Sequence, residues 1–272
     1  MIIAKEFPNK EFATKAELFE ALRTNKKTLI AQKKLITKQG DAIKQILPTA
    51  NADKKANKAL TIEDQNVNKI NAKLVINTTG LMDSHGDVHI AGIWNKTIKE
   101  NRGILLLQEH QMTFDKIISD KVTPKAEAFD WHELGFDYKG QTEALVFDAE
   151  IEKNRNAFMF KQYINGFVKE HSVGMRYVKM DLALNSYEEE DEEEKIVWDK
   201  YINTVANKEE AENQGYFWAI QEAKAIEGSA VVKGSNHATP TINIEAAKST
   251  SEKTEPSQDT QKKLFYQSLF KN

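Results

Sequence analysis

The chain contains no cysteine. Disulfide scaffolds, thiolate zinc sites and cysteine nucleophiles are therefore excluded from the start. Long apolar runs are missing too. The opening MIIAKEFPNKEF has none of signal-peptide length, and no stretch approaches the roughly 18 apolar residues of a membrane span. A soluble protein acting inside a cell, with no membrane partner, is expected. Nor is one sign of charge in excess: 38 basic residues meet 41 acidic ones, for a formal net charge of -3. A nucleic-acid binder normally carries a basic surplus or stripe, so direct nucleic-acid contact is not expected.

Apolar material is present. The 272 residues are 40% hydrophobic and include 13 Phe, 7 Tyr and 4 Trp, enough for one sizeable core with terminal extensions. Three regions separate by pattern. Residues 1–70 are rich in Lys, Asn, Gln and Ala, and read as a helical N-terminal arm and linker. Thr14 and Glu17 form a capping-box pattern. Leu22, Leu29, Ile36 and Ile43 recur every seven residues, as one heptad position would, although Asn25, Gln32 and Gln39 leave the partner positions polar. Asp53 to Asn71 reads as linker.

Residues 71–245 have the texture of short strands and turns. Lys73–Asn77, Gly103–Glu109 and Thr142–Ile151 read as strands, Ile93–Glu100 and Asn154–Val168 as helices. The acidic run Glu188–Glu194 reads as a solvated surface loop, with a cation or basic partner as the alternative. Residues 246–272 form a polar tail with a disordered composition, closed by the apolar cluster LFYQSLFKN.

Without cysteine, a nucleophilic hydrolase needs Ser or Thr activated by a base, usually His. Ser172, in VKEHSVGMRYV, sits where a helical pattern gives way to a strand. If no bulge intervenes, alternation puts it on one face with Val178, Met180, Leu182 and Leu184, toward the interior or its rim. Gly174 would leave room there for a substrate backbone. His110 emerges at the end of the apolar run GILLLQE, but spacing alone does not pair it with Ser172. Asp83, His85, Asp87 and His89 alternate in the manner of metal ligands, while Gly86 favours a structural turn.

Taken in order, these motifs resemble the caudovirus prohead serine proteases, whose fold is similar to that of the herpesvirus assembly proteases. The resemblance covers about residues 74 to 245. It rests on Asp83-Ser84-His85-Gly86-Asp87, the apolar run ending in His110, His171-Ser172-Val173-Gly174-Met175, and Glu227-Gly228-Ser229-Ala230-Val231 followed by Gly234-Ser235-Asn236. It implies an α+β fold: an antiparallel β-barrel protease core flanked by helices. It also implies a serine endopeptidase with Ser172 as nucleophile, His110 as base and an acidic third member. Glu227 is the choice for that role and His237 the reserve, since the herpesvirus relatives use a second His.

Such an enzyme would mature bacteriophage capsids by cutting the scaffold segment of the major capsid protein and itself, as a homo-oligomer inside the assembling prohead in the host cytoplasm. It would need no cofactor and no metal. The rival reading is a non-catalytic scaffold or virion structural protein that keeps the protease fold.

Overall fold

A computed structural model describes residues 1–36, 67–100 and 102–247. Ile43, most of the expected linker and the polar tail lie outside the described residues. Six α-helices accompany three sheets among the described residues, an α+β arrangement.

The N-terminal residues form a two-stranded ribbon, β1 (Ile2–Ile3) with β2 (Glu11–Phe12), then helices α1 (Lys15–Thr24) and α2 (Lys26–Leu35). Thr14 caps α1: its hydroxyl accepts the Glu17 N–H at 3.2 Å, while the Glu17 carboxylate reaches back to the Ala13 N–H at 2.9 Å. These elements are not a detached arm. Phe12, Leu18, Phe19, Leu22 and Leu29 belong to the main hydrophobic core. The heptad spacing does not describe a coiled-coil seam either, because the helix breaks at Asn25 and Ile36 is exposed. Apolar residues here answer to the core.

Two larger sheets follow. In the first, the long strand β10 (Tyr216–Val231) pairs on one side with β9 (Glu170–Leu184), antiparallel. On its other side it pairs in parallel with β4 (Asp87–His89) and then with β5 (Leu105–Gln108), which itself pairs with β6 (Ile117–Ser119). The second sheet has the order β11 (Thr241–Ala246), β3 (Lys69–Thr78), β8 (Gln141–Glu152), β7 (Lys121–Asp130), all antiparallel. The expected linker therefore ends early, because Lys69 already enters β3. No pairing among the described residues closes a barrel, and the first sheet is mixed rather than antiparallel as expected, because β10 runs parallel to β4 and β5. The remaining helices are α3 (Asn95–Glu100), α4 (Ala157–Ile164), α5 (Glu192–Tyr201) and α6 (Lys208–Gln214).

The acidic run is not a free loop. It opens α5, where carboxylates complement the helix dipole. Asp191 and Glu194 are buried and meet Arg23 at 2.9 Å and Lys26 at 2.6 Å. The basic partner lies in the chain's own N-terminal helices.

A second ionic contact fixes the same segment. Lys33 Nζ lies 2.6 Å from Asp87 Oδ1, and Tyr177 donates its hydroxyl to Asp87 Oδ2 at 2.8 Å. Glu6 accepts from Tyr216 Oη at 2.8 Å and Trp218 Nε1 at 2.7 Å. Burial alone would push the Lys33 ammonium down, but the charge of Asp87 and its hydrogen bond outweigh burial and hold it raised.

Candidate active site

The site begins with alternation along β10. Gly228 faces the core, where a Cβ would meet Phe147 Cε2 at 2.4 Å. Glu227 and Ser229 therefore point to the opposite face. Glu227 uses both carboxylate oxygens: Oε1 lies 2.6 Å from His110 Nδ1, and Oε2 accepts the Ser229 hydroxyl at 2.6 Å. The same Ser229 oxygen accepts the backbone N–H of His110 at 3.0 Å. Three residues form a closed ring of hydrogen bonds.

His110 reaches this position through an unusual turn. The Glu109 N–H bonds to Ala230 O at 2.9 Å, and the Gln111 N–H returns to Gln108 O at 3.0 Å. Between them Glu109 and His110 have φ of 49° and 58°. Two successive non-glycine residues in the left-handed region cost about 1–2 kcal/mol each, so their surroundings must hold them. The hydrogen bond from the His110 N–H to Ser229 is one such restraint.

The imidazole and the carboxylate are enclosed, with side chains 7% and 4% exposed. Since Glu227 accepts at Nδ1, the neutral ring carries its proton there and leaves the lone pair on Nε2. That is the tautomer a general base needs.

Ser172 enters through strand register. On β9 it lies directly opposite Ser229, and Gly174 lies opposite Glu227. Directly opposed residues share a sheet face with Cβ atoms about 5 Å apart, so the Ser172 side chain lies on the face that carries Ser229 and Glu227. This reverses one expectation. The register skips Val178, a bulge that flips the alternation beyond it. Val173, Met175, Tyr177, Met180, Leu182 and Leu184 make up the core face, and Ser172 lies on the other one. It is nevertheless covered, at 6% exposure.

The space at Gly174 is also not free for a substrate. A Cβ there would stand 2.0 Å from Glu227 Oε1, so the glycine makes room for the carboxylate.

The other histidines sit elsewhere. His171 is fully buried; its Nδ1–H donates to Thr239 O at 3.0 Å and Tyr163 Oη lies 3.1 Å from Nε2. Burial pushes its pKa down to about 4. His237 packs edge-on against Phe136, 5.1 Å between ring centroids, and burial pushes it down as well. The Nδ1 of His110 is already taken by Glu227.

Asp83, His85, Asp87 and His89 build a turn. Asp83 Oδ1 accepts the N–H groups of His85 at 2.8 Å and Asp87 at 3.0 Å, around Gly86 at φ 74°. Burial raises the Asp83 pKa, but hydrogen bonding and charge from His85 and His89 outweigh it, to about 2. Lys33 supplies the cation next to Asp87, and among the described residues no group of three or more His, Asp or Glu is placed to hold a metal.

Ser229 had no role in the sequence reading. Alternation with Glu227, two positions earlier, was the signal that could have assigned one. Comparison with protein-family models, with curated proteins and with solved structures finds no match for this chain.

Proposed function

We propose that this protein is a serine endopeptidase of the capsid-maturing kind, cutting the scaffold segment of a phage capsid protein and its own chain. The observation that carries the reading is the 2.6 Å contact between His110 Nδ1 and Glu227, on the sheet face to which Ser172 projects. In this mechanism Nε2 of His110 takes the Ser172 proton as the hydroxyl oxygen attacks a peptide carbonyl, then returns it to the leaving amine. Water hydrolyses the acyl-enzyme by the same route. Glu227 holds the tautomer and stabilises the imidazolium, while Ser229 fixes both the carboxylate and the backbone of the base.

A β-barrel arrangement of the two larger sheets belongs to the same proposal. Two seams between the larger sheets support it. At one, Ser119 donates its hydroxyl to Glu150 O at 2.6 Å where β6 runs into β7. At the other, the His171 N–H reaches Thr239 O at 3.1 Å and the Thr241 hydroxyl reaches Val168 O at 2.9 Å. Among the described residues no helix is long and apolar enough to cross a membrane, which accords with action inside an assembling shell. Capsid substrate, homo-oligomer and prohead location come from the motif resemblance.

One observation favours the non-catalytic alternative: Ser172 is 6% exposed, so a peptide could reach it only after local opening. Intact mass spectrometry decides between the two. The full-length chain is incubated for a day beside Ser172→Ala, His110→Ala and Glu227→Gln, alone and with capsid protein. Loss of defined terminal pieces by the wild type alone, including residues beyond about Ala246, is expected. Equal shortening of all four chains would point to a contaminating protease. Four intact chains at high concentration would put the scaffold reading first.

A further inference from the structure

The sheet face that carries Ser172 and Glu227 continues beyond them. Arg176 on β9 lies directly opposite Lys224 on β10, past the Gly174–Glu227 pair, and both are exposed. No bulge interrupts β9 between Ser172 and Arg176, so the two side chains share a face. Around the cationic pair is a groove of about 350 Å³, bounded also by Arg102, Ile104, Ile226 and Glu100. Among the described residues Glu100 is the one carboxylate lining it, and it lies 3.3 Å from Arg102. Three cationic side chains thus line the groove, on a chain whose net charge is -3.

Position gives the charge a meaning. Four residues of strand separate Ser172 from Arg176, about 13 Å at ~3.3 Å per residue. A peptide bound in extended form has nearly the same rise. Its side chain about four residues from the scissile bond would therefore meet the groove.

We propose that this groove is a specificity subsite for an acidic side chain of the peptide substrate, about four residues from the bond that is cut. The inference rests on the endopeptidase reading above. A carboxylate suits the place because guanidinium and ammonium groups offer it charge-assisted hydrogen bonds. The site is also open to water, so the ligand gives up little hydration. Charges at such a rim discriminate among partners more than they add affinity.

The test uses full-length Ser172→Ala, which binds without cutting, and a pooled random dodecapeptide library. Captured peptides are sequenced by mass spectrometry, and the same pool is given to the wild type to locate cuts. Enrichment of Asp and Glu is expected at one position, about four residues from the cut. It should fall at least tenfold in Lys224→Glu, and again in Arg176→Glu, with circular dichroism unchanged. Capture with no acidic preference, or a preference that survives Lys224→Glu, overturns the subsite even if the chain cuts peptides. Acidic capture lost in both variants, with no cutting by the wild type, upholds the acidic-peptide site and removes the endopeptidase reading instead.

Discussion

Replacing Lys33 by Met tests how firmly the N-terminal helices are tied to the sheet. The Lys33 and Asp87 side chains are 13% and 0% exposed, with 2.6 Å between their charged atoms. In the variant the Asp87 carboxylate keeps the Tyr177 hydroxyl at 2.8 Å but loses the Lys33 ammonium. Breaking a buried pair from one side typically costs about 3–5 kcal/mol, because the remaining charge stays in a poorly solvating place. At an m-value of about 3 kcal/mol/M, a loss near the lower end moves the urea midpoint down by about 1 M.

Adding Asp87→Asn should recover much of the loss, because no carboxylate charge then stays buried without Lys33. Urea titrations at pH 7 on the two variants and the wild type measure this directly. A Lys33→Met midpoint within about 0.3 M of wild type at pH 7 would refute the reasoning.

Two further outcomes follow from named contacts. His171, with a folded pKa depressed from 6.5 to about 4, stays neutral in the folded chain while the unfolded chain takes up a proton below pH 6.5. Stability from this group is therefore complete above pH 6.5 and is lost as the pH falls toward 4, by about 3 kcal/mol in all. Urea midpoints between pH 7 and 4.5 should fall less steeply for His171→Asn than for wild type, and parallel curves would count against the assignment. Gly174→Ala places a methyl 2.0 Å from the position of Glu227 Oε1, so the carboxylate must leave His110. On the endopeptidase reading, peptide cleavage should drop roughly a hundredfold or more. The downfield proton resonance of the His110 Nδ1–H should vanish; a resonance identical to wild type would contradict the crowding.

The strands around the site were legible because their chemistry is local. Apolar runs bounded by Gly, Asn and charge mark β3, β5 and β8, and each proved a little longer or shorter than its pattern. His110, Ser172 and Glu227 could be nominated from motif order, and the fold brings all three to one sheet face. What stayed hidden depends on partners distant in sequence. Lys33 stands in a polar stretch that suits a solvated helix, and its burial is explained by distant partners: Asp87, 54 residues away, and the ring of Trp218. Asp191 and Glu194 look like any members of an acidic run until Arg23 and Lys26 are placed opposite them. The bulge at Val178 carries no composition signal; it reflects how two long, twisted strands accommodate each other. That single skipped residue decided which face Ser172 occupies.

The ring linking Glu227, Ser229 and His110 has a bearing on how the site tolerates change. Every member is referenced to β10: Glu227 and Ser229 belong to it, His110 is held by the Ser229 hydroxyl and the Glu227 carboxylate, its neighbour Glu109 by the Ala230 carbonyl, and Ser172 is set by pairing with it. One strand thus serves as the datum for the whole cluster. Loops between elements can lengthen or shorten without disturbing the alignment, whereas a one-residue slip of β9 along β10 would bring His171 or Val173 to the place of Ser172. In this molecule, the geometry of the candidate site is a property of strand register.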